Sequence, residues 1–273
     1  MNRRPSHHLY ATTVETDSNC FDRLESIRRI RSRLSNGGTS VGSWMQIPDG
    51  SVAEILGASG YDWVAVDLEH GSIDTSQLPG LFRSLELGGT LPLARIAEGT
   101  PAACKHALDA GAGGVIVPMV EQRMQLERVR DACRWPPAGR RGVGFSRANM
   151  FGQRFDRYRE EAQSPLFVPM IESCAALDAV DDILSAAGVD AVLIGPYDLS
   201  ASLGCTGDFG QPRFIEAMDA IRAAALRNNV AAGIHVVAPD AGQLRERLSE
   251  GYRFVAYSLD AVMLASVARR PAT

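Results

Sequence analysis

Four apolar runs in this chain end on residues that can do chemistry. Asp67, Glu69 and His70, with Gly71 behind them, follow YDWVAV; Arg95 follows LPLA; Glu172 follows FVPMI; Asp198 lies in GPYD after AVLI. An imidazole among carboxylates can move protons, and a guanidinium can hold a carboxylate through paired hydrogen bonds. Two carboxylates that leave room for water and an oxygen-donor substrate suit a hard octahedral cation such as Mg or Mn better than a closed zinc site. Each residue alone also has a plainer reading. Glu172 could favour the positive end of a helix, Asp198 could cap one, His70 could be structural and Arg95 could pair under a loop. His235, in AGIHVV, has no neighbouring acid and stays open between cavity wall and core.

One census separates two ways of stabilising an enolate. The only lysine is Lys105, inside the helix-like stretch 100–108. A Schiff-base enzyme needs a lysine amine facing its substrate, normally from a strand. Its absence at every strand end favours a metal acting as Lewis acid on a carbonyl to stabilise an enolate.

Residues so far apart in sequence converge only on a scaffold that returns repeatedly to one place. Eight short apolar runs do this: Val41–Met45, Trp63–Val66, Leu91–Ala94, Gly114–Val117, Phe167–Ile171, Ala191–Ile194, Ala231–Ile234 and Phe254–Tyr257. Helix-like stretches at 51–58, 75–87, 100–108, 122–133, 175–186, 212–227 and 239–248 alternate with them. The pattern predicts a (β/α)8 barrel, whose active site lies at the carboxyl ends of the strands. An open α/β sheet is the alternative, but no GxGxxG follows the first run. Residues 1–18 read as a flexible leader and 19–273 as a single barrel domain. Phe21 to Leu34 has helical spacing and is expected to close the barrel's floor. Residues 135–163, rich in Pro, Gly and Arg without a clean period, read as a functional loop or a subunit contact.

Composition narrows the partners. A net charge of -4 argues against tracking nucleic-acid phosphates, and five scattered cysteines suggest neither a zinc knuckle nor a disulfide framework. There is no secretory pattern and no run of about 18 apolar residues, so a cytoplasmic protein away from membranes is expected.

The segments VGSWMQ, YDWVAVDLEHG, LARI, LDAGAGGVIVPMV, PPAGRRGVGFSRA, PMIES and GVDAVLIGPYDLSASLG together resemble the HpcH/HpaI aldolase/citrate lyase family, from about Phe21 to the C-terminus. The resemblance implies a class II pyruvate aldolase that joins or splits a 2-oxo acid and an aldehyde. It implies a divalent ion (Mg, Mn or Co) on Glu172 and Asp198, with Arg95 binding the pyruvate carboxylate. His70 would be the acid/base, with Asp67 and Glu69 ordering it and the metal's waters. The backbone of Gly195, Pro196 and Tyr197 would contact the carboxylate. Asp109 in LDAG matches an acid that relatives lend to a neighbouring subunit's His, within a homo-oligomer, commonly a hexamer. The last helix, about 261–268, would pack on a neighbour. Met170 stands where several relatives place a Gln that touches the pyruvate oxygen. Rival readings are a family lyase or synthase acting on a CoA thioester or oxaloacetate, and a non-catalytic barrel subunit. Acceptor choice is expected to lie in the 144–163 loop, with Arg147 and Arg154, and around Ser72 and Tyr197.

Overall fold

A computed structural model of the chain describes residues 21–270, so the leader expected at 1–18 lies outside the described residues. Eight parallel strands form a closed barrel in chain order. They are β1 (Ser40–Met45), β2 (Trp63–Asp67), β3 (Leu91–Arg95), β4 (Gly114–Val117), β5 (Leu166–Ile171), β6 (Ala191–Ile194), β7 (Ala231–Val236) and β8 (Phe254–Leu259). All eight expected runs are strands, and pairing of β1 with β8 excludes the open sheet. Among the described residues no helix is long and apolar enough to cross a membrane.

Alternation along the strands makes two nested cores. Odd and even side chains of a strand point to opposite faces, so one set fills the barrel and the other meets the outer helices. The inner set includes Trp44, Trp63, Ala65, Leu91, Leu93, Ile116, Leu166, Val168, Met170, Leu193 and Phe254. Near the amino ends it is sealed by rings: Trp63 stacks on Phe254 at 4.4 Å between centroids. Gly42 faces that indole, and a Cβ there would lie 2.1 Å from it. The helix Arg23–Ser35, capped by Asp22, closes the floor with Ile27, Ile30 and Leu34, as its spacing predicts.

Carried one step further toward the carboxyl ends, the same inward alternation reaches Gln46, Asp67, Arg95, Glu172, Gly195 and His235. Strand geometry therefore sends these residues to one mouth.

Three local expectations are adjusted. The stretch 175–186 is two helices, Cys174–Asp178 and Val180–Leu184, separated by Ala179 at φ -101° and ψ 7°. The bend lets Ala176 on one piece and Ile183 on the other both reach the core. The helix expected from Thr75 starts at Leu78, because Asp74 accepts from Ser76 N and receives no helical continuation.

The segment 135–163 contains a 3-10 turn, Arg147–Gly152, and a helix, Phe155–Gln163, where the sequence pattern shows no period. The helix's hidden face includes Glu161, held by Arg23 Nε at 2.7 Å, so it carries little apolar period. Trp135, Ala148, Tyr158 and Ala162 give the segment a small core of its own. Arg147 is buried there, pairing with Glu86 and donating to Ala110 O. These partners end the helices Leu78–Leu87 and Pro101–Ala110, which lead into β3 and β4, so Arg147 serves the amino end of the barrel. It is not an acceptor-binding arginine of its own chain's mouth.

Candidate active site

The mouth is organised by one buried ion pair. Asp67 and Arg95 are register partners on β2 and β3, which sets their side chains side by side. Arg95 donates from Nε to Asp67 Oδ1 at 2.8 Å and from Nη2 to Oδ2 at 2.5 Å. Gln46 Nε2 donates to Oδ2 at 2.8 Å, and the backbone N–H groups of Glu69 and His70 donate to Oδ1. Burial works against ionisation of Asp67, but the Arg95 fork and these donors prevail and hold its carboxyl at about 2. The two backbone contacts curl the chain after β2 back over the mouth, leaving His70 exposed at the rim. Trp44 supports Arg95 from below, with its ring 5.0 Å from the guanidinium carbon.

Glu69 lies 3.1 Å from Arg95 Nη1, yet this buried Oε2 has no aligned hydrogen-bond donor. Burial pushes its carboxyl up while Arg95 and His70 act the other way. It is an oxygen in want of a donor or a cation at the cavity wall.

Glu172 follows β5 and is buried. Its Oε2 accepts from Met119 N at 2.9 Å, from a loop in which Met119 takes the left-handed φ of 50°. A non-glycine residue there carries about 1 kcal/mol or more of strain, so the surrounding structure over-determines this N–H. On the other side Gly195 admits the carboxylate, since a Cβ would lie 2.6 Å from Glu172 Oε1. Neither residue is a helix cap. Ser173, not Glu172, caps the next helix, and the helix Pro196–Ser202 begins at Gly195 without a side-chain cap. Asp198 is exposed in that helix's first turn and faces the same cavity.

Glu172 also tests whether a cation fits. Burial, followed by the charges of Glu69 and Asp198, raises its carboxyl to about 7, against the Met119 contact. A divalent ion between Glu172 and Asp198 would reverse that repulsion. Among the described residues no group of three or more His, Cys, Asp or Glu is arranged for a metal. A cation held by Glu172 and Asp198 alone would keep positions for water and substrate.

The cavity measures about 330 Å³ and is lined by Trp44, Gln46, His70, Arg95, Met170, Glu172 and Gly195 through Asp198, with His235 on the far wall. His235 is thus a wall residue. Its Nε2 lies 2.9 Å from Ser258 O, and its ring stacks on Trp44. Burial lowers it to about 4, so it is neutral at physiological pH. A wider groove of about 580 Å³ runs over the outer helices beside Lys105 and Arg140. It gathers no histidine and no strand-end acid, both of which line the smaller cavity, the candidate site.

Asp109 stands apart. It is near the end of the helix Pro101–Ala110, which leads into β4, at the amino end of the barrel. Its surroundings are Arg141, Lys105 and His106, and burial raises its carboxyl. In its own chain it is remote from the cavity.

Gln46 is a site residue that the strand-end charges did not point to. Asp260 fixes it, accepting from Gln46 N at 2.9 Å and from Ile47 N at 2.8 Å. A signal for it exists in the sequence: Gly42 and Trp44 share one face of β1, and Gln46, the polar residue just past its end, continues that alternation.

With this geometry in hand, likeness to known proteins is informative. Residues 41–266 match the family model described as HpcH/HpaI aldolase/citrate lyase. A hydroxypyruvate/pyruvate aldolase of Roseobacter denitrificans is 38% identical, across 89% of this chain and 95% of that protein. A 2-keto-3-deoxy-L-rhamnonate aldolase of Escherichia coli is also 38% identical, across 86% and 88%. The crystal structure of an HpcH/HpaI aldolase/citrate lyase family protein from Burkholderia cenocepacia superposes with a TM-score of 0.83 at 33% identity, covering 88% of this chain and 96% of that one. The chain belongs to the HpcH/HpaI aldolase/citrate lyase family and is a carbon–carbon lyase of the aldolase type.

Proposed function

We propose that the chain joins pyruvate, or a close 2-oxo acid, to an aldehyde, and cleaves the resulting 4-hydroxy-2-oxo acid, at the cavity bounded by Arg95, His70, Glu172 and Asp198. The observation that carries this reading is the buried, charge-crowded Glu172 facing Asp198 beside an arginine already aligned by Asp67. Glu172 and Asp198 would hold a divalent cation, Mg, Mn or Co, which supplies a Lewis acid for charge developing on the 2-oxo oxygen.

Arg95 uses Nε and one Nη2 hydrogen on Asp67 and turns Nη1 toward Glu69, so it retains donors for a substrate carboxylate. The first turn after β6 completes that carboxylate's cradle. Gly195 N is engaged by Ile171 O at 3.2 Å and Pro196 has no N–H, so Tyr197 N is the first donor available there. Met170 lines the cavity without offering a hydrogen bond, leaving donor binding to Arg95 and that turn. His70, exposed at the rim with its backbone held by Asp67, takes the proton from the C4 hydroxyl in cleavage and returns it in synthesis. Glu69 orients it.

A CoA thioester is less well matched, because Arg95 is the one Lys or Arg lining this cavity among the described residues, and it is already paired. Asp109 is assigned to a neighbouring copy's His70 within a homo-oligomer, commonly a hexamer in such enzymes. The C-terminal helix Asp260–Val267 supports assembly, since Leu264 and Val267 stand exposed on it. A cytoplasmic setting suits this chemistry.

The test is stripping with a chelator, add-back of Mg, Mn or Co, and mass analysis of products from pyruvate with a panel of aldehydes. We expect activity to vanish and return with metal, giving a product equal in mass to the sum of its reactants. Full activity in the stripped protein would sink the metal assignment.

A further inference from the structure

The rim of the cavity carries a feature that the donor half of the reaction does not use. Tyr197, beside Asp198, leaves 57% of its surface exposed where the acceptor must enter. Its ring meets Phe209 edge-on at 5.1 Å, and Phe209 in turn meets Phe214 at 5.1 Å. Phe214 is buried in the main core, while Phe209 is 38% exposed. Three rings thus run from the core to the mouth. Ser200 ties the two exposed ones together: its hydroxyl donates to Tyr197 O at 2.7 Å and accepts from Gly207 N, in the loop that carries Phe209, at 3.0 Å.

Charge at the mouth points the same way. A phosphate or carboxylate on the acceptor would need a cation free to receive it, whereas Arg95, the one Lys or Arg lining the cavity among the described residues, is taken up by Asp67 and by the carboxylate of the 2-oxo acid. Within its own chain Arg147 is buried against Glu86, and Lys105 lies on the outer groove away from this cavity.

Resting on the aldolase reading above, we propose that Tyr197, positioned by Phe209, is a shelf for the acceptor's side chain, and that the preferred acceptors are uncharged aldehydes with an aromatic or planar apolar group. Edge-to-face and stacked rings gain free energy beyond the area they bury, enough for a preference of about tenfold.

The experiment uses metal-loaded enzyme with pyruvate and three aldehydes: benzaldehyde, glycolaldehyde and succinic semialdehyde. Benzaldehyde should have kcat/KM about tenfold above the other two. Phe209→Ala should lower its kcat/KM about tenfold through KM, leave the other aldehydes unchanged, and be rescued by Phe209→Tyr. Exchange of the pyruvate methyl protons with deuterated solvent should be untouched, which also shows that the variant is folded. A preference for succinic semialdehyde, or an equal loss with all three aldehydes, overturns the shelf. If the wild type exchanges no pyruvate protons, the aldolase reading has failed instead. Saturation-transfer NMR with benzaldehyde then decides the shelf: signal lost in Tyr197→Ala upholds it, and signal retained overturns it.

Discussion

The two ends of the barrel are built from the same strands and obey opposite rules. At the amino end the inward residues are rings and aliphatics, with Trp63 stacked on Phe254 and the helix Arg23–Ser35 packed beneath them. At the carboxyl end the same inward positions are Gln46, Asp67, Arg95 and Glu172, around a cavity of about 330 Å³. The floor is stable because burial removes apolar surface from water. The mouth holds buried carboxyls: for Asp67 the Arg95 fork and its other donors outweigh desolvation, whereas for Glu172 one backbone N–H offsets it only in part. Apolar packing at one end carries a costly polar arrangement at the other.

The sharpest test of this division is a substitution at the mouth that removes charge without volume. Glu172→Gln should cut turnover by about a thousandfold and leave the metal-free fold intact, as read by steady-state rates and circular dichroism. Loss of folding would show that the mouth also supports the barrel. At the floor the outcome should invert. Trp63→Ala should cost about 3–5 kcal/mol in urea unfolding, yet leave kcat nearly unchanged at low temperature. A large fall in kcat with little loss of stability would contradict the division.

Acid–base behaviour sharpens the picture within the mouth, where two buried groups have opposite signs. His235 is lowered to about 4, so between pH 6.5 and 4 the unfolded chain takes up a proton that the native state refuses. Stability falls there as pH drops, by roughly 3 kcal/mol. Glu172 is raised to about 7, so the native state keeps a proton that the unfolded chain releases from about pH 4.5 upward. Stability of the metal-free protein therefore falls as pH rises toward 7. The two slopes oppose each other in the wild type. Urea unfolding in a chelator should show a stability that falls with rising pH in His235→Asn, and one that falls with decreasing pH in Glu172→Gln. Identical profiles in both variants would mean that neither shift is real.

The smallest expected effect is at the contact between strand end and carboxylate. Gly195→Ala places a Cβ 2.6 Å from Glu172 Oε1. Displacing that oxygen should lower kcat about 10- to 100-fold with little change in Tm. An unaltered kcat would show that Glu172 tolerates movement and is not held in place by the glycine.

Much of the site is legible in the amino-acid sequence. Asp67, Arg95 and Glu172 each end an apolar run, and a parallel barrel delivers such residues to one place. Asp198 needs only one turn more. Gln46 is equally readable from its alternation with Gly42 and Trp44, but a neutral amide draws less notice than a charge. The helix Phe155–Gln163 is not legible, because its buried Glu161 depends on Arg23, 138 residues away in the chain. Nor is the burial of Arg147 against Glu86, which removes it from acceptor binding.

The sequence by itself determined the eight-run grammar, the inward parity of each strand and the absence of a lysine at any strand end, since these follow from local periodicity and composition. Only the tertiary structure decided the protonation of the site. The carboxyls of Asp67 and Glu172 are chemically near alike, yet one is held at about 2 and the other near 7. Burial pushes both carboxyls up, and they part because of what the closed barrel sets around each: a guanidinium fork and further donors for Asp67, but a single N–H and the charges of two further carboxylates for Glu172.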